Sequence, residues 1–267
     1  MLESNAIIIE EFNRYLQFMK KEKRQAMILR EIDLHNKVLS VDLSEQLNVS
    51  DDTVRRDLKE LADQEKIIRV HGGAVSKSFV KPFNIENLVY ALDAKKLIAK
   101  KTLTLLKNNM VILTEGGTTI LELAKVIPSN LKVTIITISP QVAITLSDHD
   151  NLDVISIGGK LTKNANLHIG ASVVNQLAGV KADLCILGAN AFSAEDGLTD
   201  MDWEVVQVKM ALIRSAKKVA VISISEKLNS SKWLNICSAN QIHYLVTELD
   251  AKDGFLAAYA QKNITLL

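Results

Sequence analysis

Residues 40–61 of the 267-residue chain have the sequence SVDLSEQLNVSDDTVRRDLKEL. Apolar side chains recur in this stretch at the spacing of one helix face. Ser40 and Ser50 are good N-caps, because a serine hydroxyl can accept a hydrogen bond from the first turn of a helix. Asn48 tolerates the left-handed backbone that turns a chain between helices, and Val49 can fill the corner. We therefore predict two short helices joined by a tight turn.

The second predicted helix has its basic side chains on the face opposite the apolar one. With Val54 and Leu58 facing inward, the outward residues are Thr53, Arg55, Arg56 and Lys59. A helix of this kind can enter the major groove of double-stranded DNA, where arginine binds guanine and lysine binds phosphate. We therefore expect these four residues to contact DNA.

A second basic segment follows this helix. β-Prone residues on both sides of Gly72-Gly73 predict a tight hairpin. Lys66, Arg69 and His71 would make the hairpin a basic wing along the DNA backbone. Between residues 50 and 77 there are six basic and six acidic residues, so charge alone indicates a solvated helix. The helical pattern alone fits a generic helical interaction module as well as it fits DNA binding.

The composition limits the classes of function. With 48% hydrophobic and 24% charged residues the chain is typical of a folded protein. A net charge of +1 gives no global attraction to nucleic acid or membrane, so such binding must come from a local patch. No apolar run is long enough to cross a bilayer. Cys185 and Cys237 fit neither a disulfide framework nor a zinc cluster, which favours the cytoplasm and no metal or cofactor.

The pattern changes from about Val111 onward. Short β-branched segments alternate with helical stretches, which predicts a mostly parallel, Rossmann-like α/β domain. The predicted strands are Val111–Leu113, Val133–Thr137, Val154–Ile157, Leu184–Leu187, Val219–Ile222 and Tyr244–Thr247. Residues Ser76 to Asn87 lack periodicity and are the predicted linker.

Glycine and hydroxyl residues follow several of these strands. After the first strand, Glu115, Gly116, Gly117, Thr118 and Thr119 lead into a helix, where backbone N–H groups can bind an anion. The turn is neither a Walker loop nor a dinucleotide fingerprint, and a Gly-Gly pair often only makes a turn. The ends of parallel strands meet in one crevice. We therefore expect the ligand there, with further candidates at Ser139, Gly158, Gly159, Asn190 and Gly197.

Residues 49–58, together with Leu61 and residues 69–74, closely resemble the N-terminal signature of the DeoR family of bacterial transcriptional regulators. The resemblance implies that Ser50, Thr53, Arg55 and Arg56 contact the DNA groove and phosphates. It also suggests that Asp57 steadies an arginine instead of touching DNA.

The C-terminal part resembles the same family, so the likeness extends from about Lys23 over nearly the whole chain. The family's effector domain is related in fold to ribose-5-phosphate isomerase and generally senses phosphorylated sugars. The matching residues include Gly117, Thr118, Thr119, Gly158, Gly159, Gly197, Glu204, Lys209 and Lys227. The sequence departs from the family pattern at Glu115, Gly116, Ile138, Ala171 and Ile224, so its ligand can differ.

The resemblance implies a repressor of a sugar-utilisation operon that a phosphorylated sugar releases from operator DNA. Residues 1–78 would form the winged helix-turn-helix domain and residues 79–267 the effector-sensing domain. A homodimer or homotetramer is expected. Two roles remain open for the apolar N-terminal stretch, a subunit contact or packing on its own domain; its residues are Ile7, Ile8, Phe12, Tyr15, Leu16 and Met19.

The alternative is a sugar-phosphate isomerase or deaminase. In such an enzyme Glu204 would transfer the proton, and Lys209 or Lys227 would hold the phosphate. The first 75 residues favour a regulator, because an isomerase has no use for a recognition helix and a wing.

Overall fold

The computed structural model of the protein describes residues 20–35, 37–77, 89–162 and 165–267. The chain divides into two compact units, residues 1–90 and residues 91–267. The predicted boundary after residue 78 and the apolar stretch from Ile7 to Met19 lie outside the described residues. Ser76, the expected start of the linker, is instead the buried last residue of a strand.

The first unit is a winged helix-turn-helix, as the sequence predicts. Its elements are α1 (Lys21–His35), β1 (Lys37–Leu39), α2 (Ser40–Leu47), α3 (Asp51–Asp63), β2 (Ile67–Val70) and β3 (Gly73–Ser76). The three strands form an antiparallel sheet in the order β1-β3-β2. Fully buried apolar residues from all three helices, including Ile28, Leu47 and Leu58, form one core.

The turn between α2 and α3 has the predicted geometry. Asn48 is left-handed with φ of 49°. The Ser50 hydroxyl caps α3 by accepting the Thr53 N–H at 3.2 Å. The prediction that Ser40 caps α2 is wrong, because Ser40 already lies inside the helix and its hydroxyl donates to the Gly72 carbonyl at 3.1 Å. Gly73 must be a glycine, since a Cβ there would lie 1.9 Å from the carbonyl oxygen of Val38.

The second unit is an α/β domain. Its helices are α4 (Leu92–Thr102), α5 (Thr118–Val126), α6 (Pro140–Leu146), α7 (Ala171–Ala178), α8 (Trp203–Arg214) and α9 (Ala257–Ala260). Its strands are β4 (Val111–Thr114), β5 (Val133–Thr137), β6 (Leu152–Ser156), β7 (Lys160–Leu161), β8 (His168–Ile169), β9 (Ala182–Gly188), β10 (Ala191–Ser193), β11 (Gly197–Asp200), β12 (Ala216–Ile222), β13 (Leu234–Cys237), β14 (Tyr244–Val246) and β15 (Thr265–Leu266).

Seven strands form one parallel sheet in the order β15-β14-β12-β9-β4-β5-β6. The chain builds one half of the sheet outward from β4 and then returns to place β9 on the other side of β4. The switch point therefore lies between β4 and β9, where an open parallel sheet leaves a crevice at the carboxyl ends of its strands. The sequence did not predict a small antiparallel sheet, β10-β11-β13, in which β10 and β11 follow β9 directly and β13 follows β12.

Candidate functional site

The predicted DNA-contacting residues of the recognition helix lie on the surface of the first unit. Arg55, Arg56, Lys59 and Ser50 are exposed and Thr53 is half-buried. Arg55 forms an ion pair with Asp51, one turn earlier, at 2.7 Å. Arg56 has no ion-pair partner within the described part of the chain, so its guanidinium is available for a base or a phosphate.

The wing and the packing behind α3 complete this face. Arg69 on β2 and His71 in the hairpin turn are both exposed. Asp57 is buried and accepts hydrogen bonds from the Arg24 side chain of α1, at 2.5 Å from Nε and 3.2 Å from Nη2. Asp57 therefore binds an arginine, as expected. That arginine is Arg24, which fixes α1 to α3, and not Arg55 or Arg56.

In the second unit the loop after β4 forms a tight strand-to-helix turn. Gly117 has φ of 98°, which favours glycine, and α5 begins at the next residue. Among the described residues no acceptor binds the N–H groups of Thr118 and Thr119, because the first turn of a helix has no internal partners. Gly116 packs closely, since a Cβ there would lie 2.8 Å from Ser139 Oγ.

A buried ion cluster lies beside this turn at the switch point. Lys209 of α8 is 5% exposed, and its Nζ lies 3.4 Å from Glu115 Oε2 and 3.2 Å from Asp200 Oδ2. The other oxygen of Glu115 accepts the Gly188 N–H at 2.7 Å. Asp200 Oδ1 accepts the Asn190 side chain at 3.1 Å. The cluster thus joins the ends of β4, β9 and β11 to one helix.

Burial and charge shift the pKa values in this cluster. Burial raises the pKa of Glu115, and the attraction of Lys209 offsets this only in part. Burial also favours the neutral form of Asp200, but Lys209 and two hydrogen bonds outweigh it and hold the pKa of Asp200 below its usual range. For Lys209 the two carboxylates overcome burial and raise its pKa. Lys209 is therefore a permanently charged lysine whose charge is already paired.

Lys227 is the second cation at this edge of the sheet. It lies half-buried on a short 3₁₀ turn, Ser225–Lys227, and its Nζ donates to the Ala189 carbonyl at 3.1 Å. Ala189 directly follows Gly188, whose N–H binds Glu115. Burial first, and then the positive charges of Lys95 and Lys209, lower the pKa of Lys227 to about 7.

Some of the remaining predicted ligand residues are exposed, whereas others are packed against neighbouring elements. Glu204 is exposed on α8 and contacts Lys160 at 3.2 Å, on a different side of the helix from Lys209. Gly158 is open to solvent, whereas Gly159 packs under α7 with no room for a Cβ. Gly197 has φ of 81° and lies against the Cys237 carbonyl. Ser139 caps α6.

Sequence reasoning missed Asp200. It lies three residues beyond the predicted ligand residue Gly197, and its partners Lys209 and Asn190 come together only in the folded chain. The signal in the sequence was the short distance of Asp200 from that glycine.

The described residues include no helix long and apolar enough to span a membrane. They also include no group of three or more His, Cys, Asp or Glu side chains that could hold a metal ion.

A recognition helix with exposed arginines and a wing, followed by an α/β unit with a buried ion cluster at its switch point, is the arrangement of a ligand-responsive DNA-binding protein. Two family models match in that order: a DeoR-like helix-turn-helix domain at residues 24–79 and a DeoR C-terminal sensor domain at residues 91–249. The chain belongs to the DeoR family of transcriptional regulators.

Several transcriptional regulators are similar to this chain over most of their own length. The transcriptional regulator GolR of Listeria innocua is 34% identical over 85% of this chain and 90% of its own. The repressor GlcR of Bacillus subtilis is 29% identical over 93% of this chain and 96% of its own length. The glycerol-3-phosphate regulon repressor of Escherichia coli is 27% identical over 86% of this chain and 92% of its own length.

We predict that Lys209→Met destabilises the second unit by about 3–5 kcal/mol, because the variant leaves two carboxylates buried without a counter-charge. The matched control is Lys217→Met, since Lys217 forms an exposed pair with Asp183 at 2.8 Å. Loss of that pair should cost at most about 1 kcal/mol. Urea unfolding followed by circular dichroism measures both, and equal stabilities of the two variants would contradict the role given to the cluster.

Proposed function

We propose that the chain is a repressor of a sugar-utilisation operon and that a phosphorylated sugar bound in the second unit releases it from operator DNA. Residues 1–78 would bind the DNA and residues 79–267 the effector. A protein that binds operator DNA must work where the DNA is, so the proposed repressor would act in the cytoplasm. The regulatory relatives support the class of function. The placement of an unpaired helix N-terminus and a half-buried lysine around one crevice supports the phosphorylated ligand.

The phosphate of the effector would bind between the Gly116–Thr119 turn and Lys227. A dianion needs N–H donors and a cation, and the first turn of α5 supplies free N–H groups with a favourable dipole. Lys227 is a better cation for this role than Lys209. The charge of Lys209 is already paired with Glu115 and Asp200, whereas Lys227 contacts only a neutral carbonyl among the described residues.

The sugar would extend from the phosphate toward the rim of the crevice. Asn190, which bonds the buried Asp200, is close to the end of β9 and can meet sugar hydroxyls. Glu204 and Lys160 lie further out, beside the Gly158–Gly159 turn, and would interact with the distal part of the ligand. Ser139, Gly159 and Gly197 would shape the crevice through packing instead of through polar contacts.

We propose a homodimer or homotetramer, because a single helix-turn-helix contacts few bases and operator affinity normally requires two copies on related half-sites. Sedimentation velocity at micromolar concentration should therefore give at least twice the monomer mass, with and without operator DNA. A monomer under both conditions would disprove the assembly.

We predict that Arg56→Ala weakens specific operator binding by about 1–3 kcal/mol, the value of one bidentate arginine–base contact. Arg55→Ala should have a smaller effect, because Arg55 already shares its charge with Asp51 at 2.7 Å. The operator is selected from a random DNA library, and affinities are measured by fluorescence anisotropy at one salt concentration.

The control for these variants is Arg214→Ala, which removes an exposed arginine from the last turn of α8 in the other unit. It should bind operator as the parent protein does. The assignment of α3 to the major groove is wrong if both α3 variants bind operator as tightly as this control.

Effector binding should depend on pH through Lys227. The pKa of Lys227 is about 7 in the free protein, so above pH 7 the phosphate must draw a proton onto the amine when it binds. Affinity should then fall about tenfold per pH unit between about pH 7 and 9, since the cost of protonating the amine rises with pH. Calorimetry at pH 8 in buffers of different ionisation enthalpy should detect uptake of about one proton.

Lys227→Met tests this directly against a panel of sugar phosphates and glycerol 3-phosphate. The variant should lose both binding and proton uptake, while Lys262→Met, at an exposed site, should keep both. Lys227→Met should still fold, because it removes a group that destabilises the native state. A lysine with a lowered pKa costs stability below about pH 7, and this cost disappears as the pH rises toward the ordinary pKa of lysine. Full effector binding by Lys227→Met would disprove the proposed phosphate site.

A further inference from the structure

The turn that holds Lys227 is fixed by a carboxylate from a different strand end. The Ser225 N–H donates to both oxygens of Glu248 at 3.0 Å, and the Ser225 hydroxyl donates to Oε1. The Thr247 hydroxyl donates to Oε2 at 2.8 Å. Glu248, which follows β14 and is half-buried, therefore caps the first residue of the Ser225–Lys227 turn.

The far end of the same turn is also tied down. The Ser230 hydroxyl donates to the Lys227 carbonyl at 2.8 Å, and the Leu228 N–H donates to the Ser225 carbonyl at 2.9 Å. A lysine side chain has many rotamers, so the position of its ammonium depends on where the backbone starts it. With the backbone held at both ends, the ammonium reaches the Ala189 carbonyl.

Lys101 fastens the segment around Glu248 to helix α4. Its Nζ donates to the Thr247 carbonyl at 2.9 Å and to the Leu249 carbonyl at 2.6 Å, on either side of Glu248. Two charge-assisted bonds to the carbonyls that flank Glu248 fix this backbone more firmly than neutral bonds would. A series of contacts therefore runs from α4 to the segment after β14, from Glu248 in that segment to Ser225, and along the turn to Lys227.

We propose that Glu248 is a positioning residue of the effector site, which holds the Ser225–Lys227 turn so that Lys227 faces the crevice, with Lys101 fixing Glu248 from α4. Glu248 does not touch the ligand. Its two oxygens are taken up by the Ser225 N–H and by two hydroxyls, which reduces its repulsion of a phosphate. The link to phosphate rests on the function proposed above, whereas the effect on Lys227 does not.

A purely structural role makes a different prediction from a positioning role. If Glu248 only stabilised the fold, its removal would lower the unfolding midpoint and leave the titration of Lys227 unchanged. If it positions Lys227, a freed turn lets the amine move into solvent. The burial that lowers the pKa of Lys227 is then lost, and its pKa rises toward its ordinary value.

The test uses the full-length protein with Glu248→Gln, Ser225→Ala and Lys101→Met. The control is Lys100→Met, an exposed neighbour on the same helix. Trace acetylation at a series of pH values, analysed by mass spectrometry, gives the titration midpoint of the Lys227 amine. Glu248→Gln should move the midpoint upward from about 7, Ser225→Ala and Lys101→Met should move it less, and Lys100→Met should not move it.

The same variants are titrated calorimetrically with inorganic phosphate at pH 7. Glu248→Gln should bind phosphate about tenfold more weakly, as expected for the loss of a charged hydrogen-bonding partner. An unchanged Lys227 midpoint in both Glu248→Gln and Ser225→Ala would overturn the proposal, and Ser225→Ala decides if Glu248→Gln fails to fold. Absence of phosphate binding by the parent would disprove the phosphate site alone, while the Lys227 midpoints would still decide the role of Glu248.

Discussion

The second unit depends on the placement of one ammonium group in its interior. A lysine almost never lies fully buried unless it is paired, because the loss of hydration of its charge is costly. Lys209 meets this requirement only when Glu115 after β4 and Asp200 at the end of β11 are both within reach. The paired charges therefore fix the relative positions of two strand ends and α8, and with them one wall of the crevice.

The same pairing decides which groups can recognise an anion. Lys209 is balanced by two carboxylates, so the cluster itself does not attract a phosphate. In the proposed site the attraction would come from the first N–H groups of α5 and from Lys227, whose pKa is lowered by burial and by the charges of Lys95 and Lys209. A dianion would relieve that repulsion. The Glu115 side chain reaches both the Gly188 N–H and the Lys209 ammonium.

The sequence was most informative where local chemistry determines the backbone. Asn48 in the left-handed region, Ser50 as a cap and the β-branched strands were all predictable, because each depends on the residue and its immediate neighbours. Ser40 was predicted wrongly, since a serine near a helix start can equally bond to a distant turn, here to the Gly72 carbonyl between β2 and β3. The helix pattern cannot tell which tertiary partner a hydroxyl will find.

The same limit applies to the candidate site. Glu204 and Lys209 share one helix, yet Glu204 contacts Lys160 in solvent and Lys209 turns inward. Asp200 and Glu248 carried no motif of their own, because their importance comes from partners more than eight residues away in sequence. Strand ends and glycine turns located the crevice, whereas the pairing of charges inside it required the fold.

We propose that one ligand bound in this crevice weakens the binding of the recognition helix to DNA. The most direct measurement is operator affinity by fluorescence anisotropy at fixed salt, with increasing concentrations of a sugar phosphate shown to bind by calorimetry. Saturating ligand should weaken operator binding by about 5- to 150-fold, and operator should weaken ligand binding by the same factor. Operator affinity that stays constant, or rises, as the site fills would contradict the account.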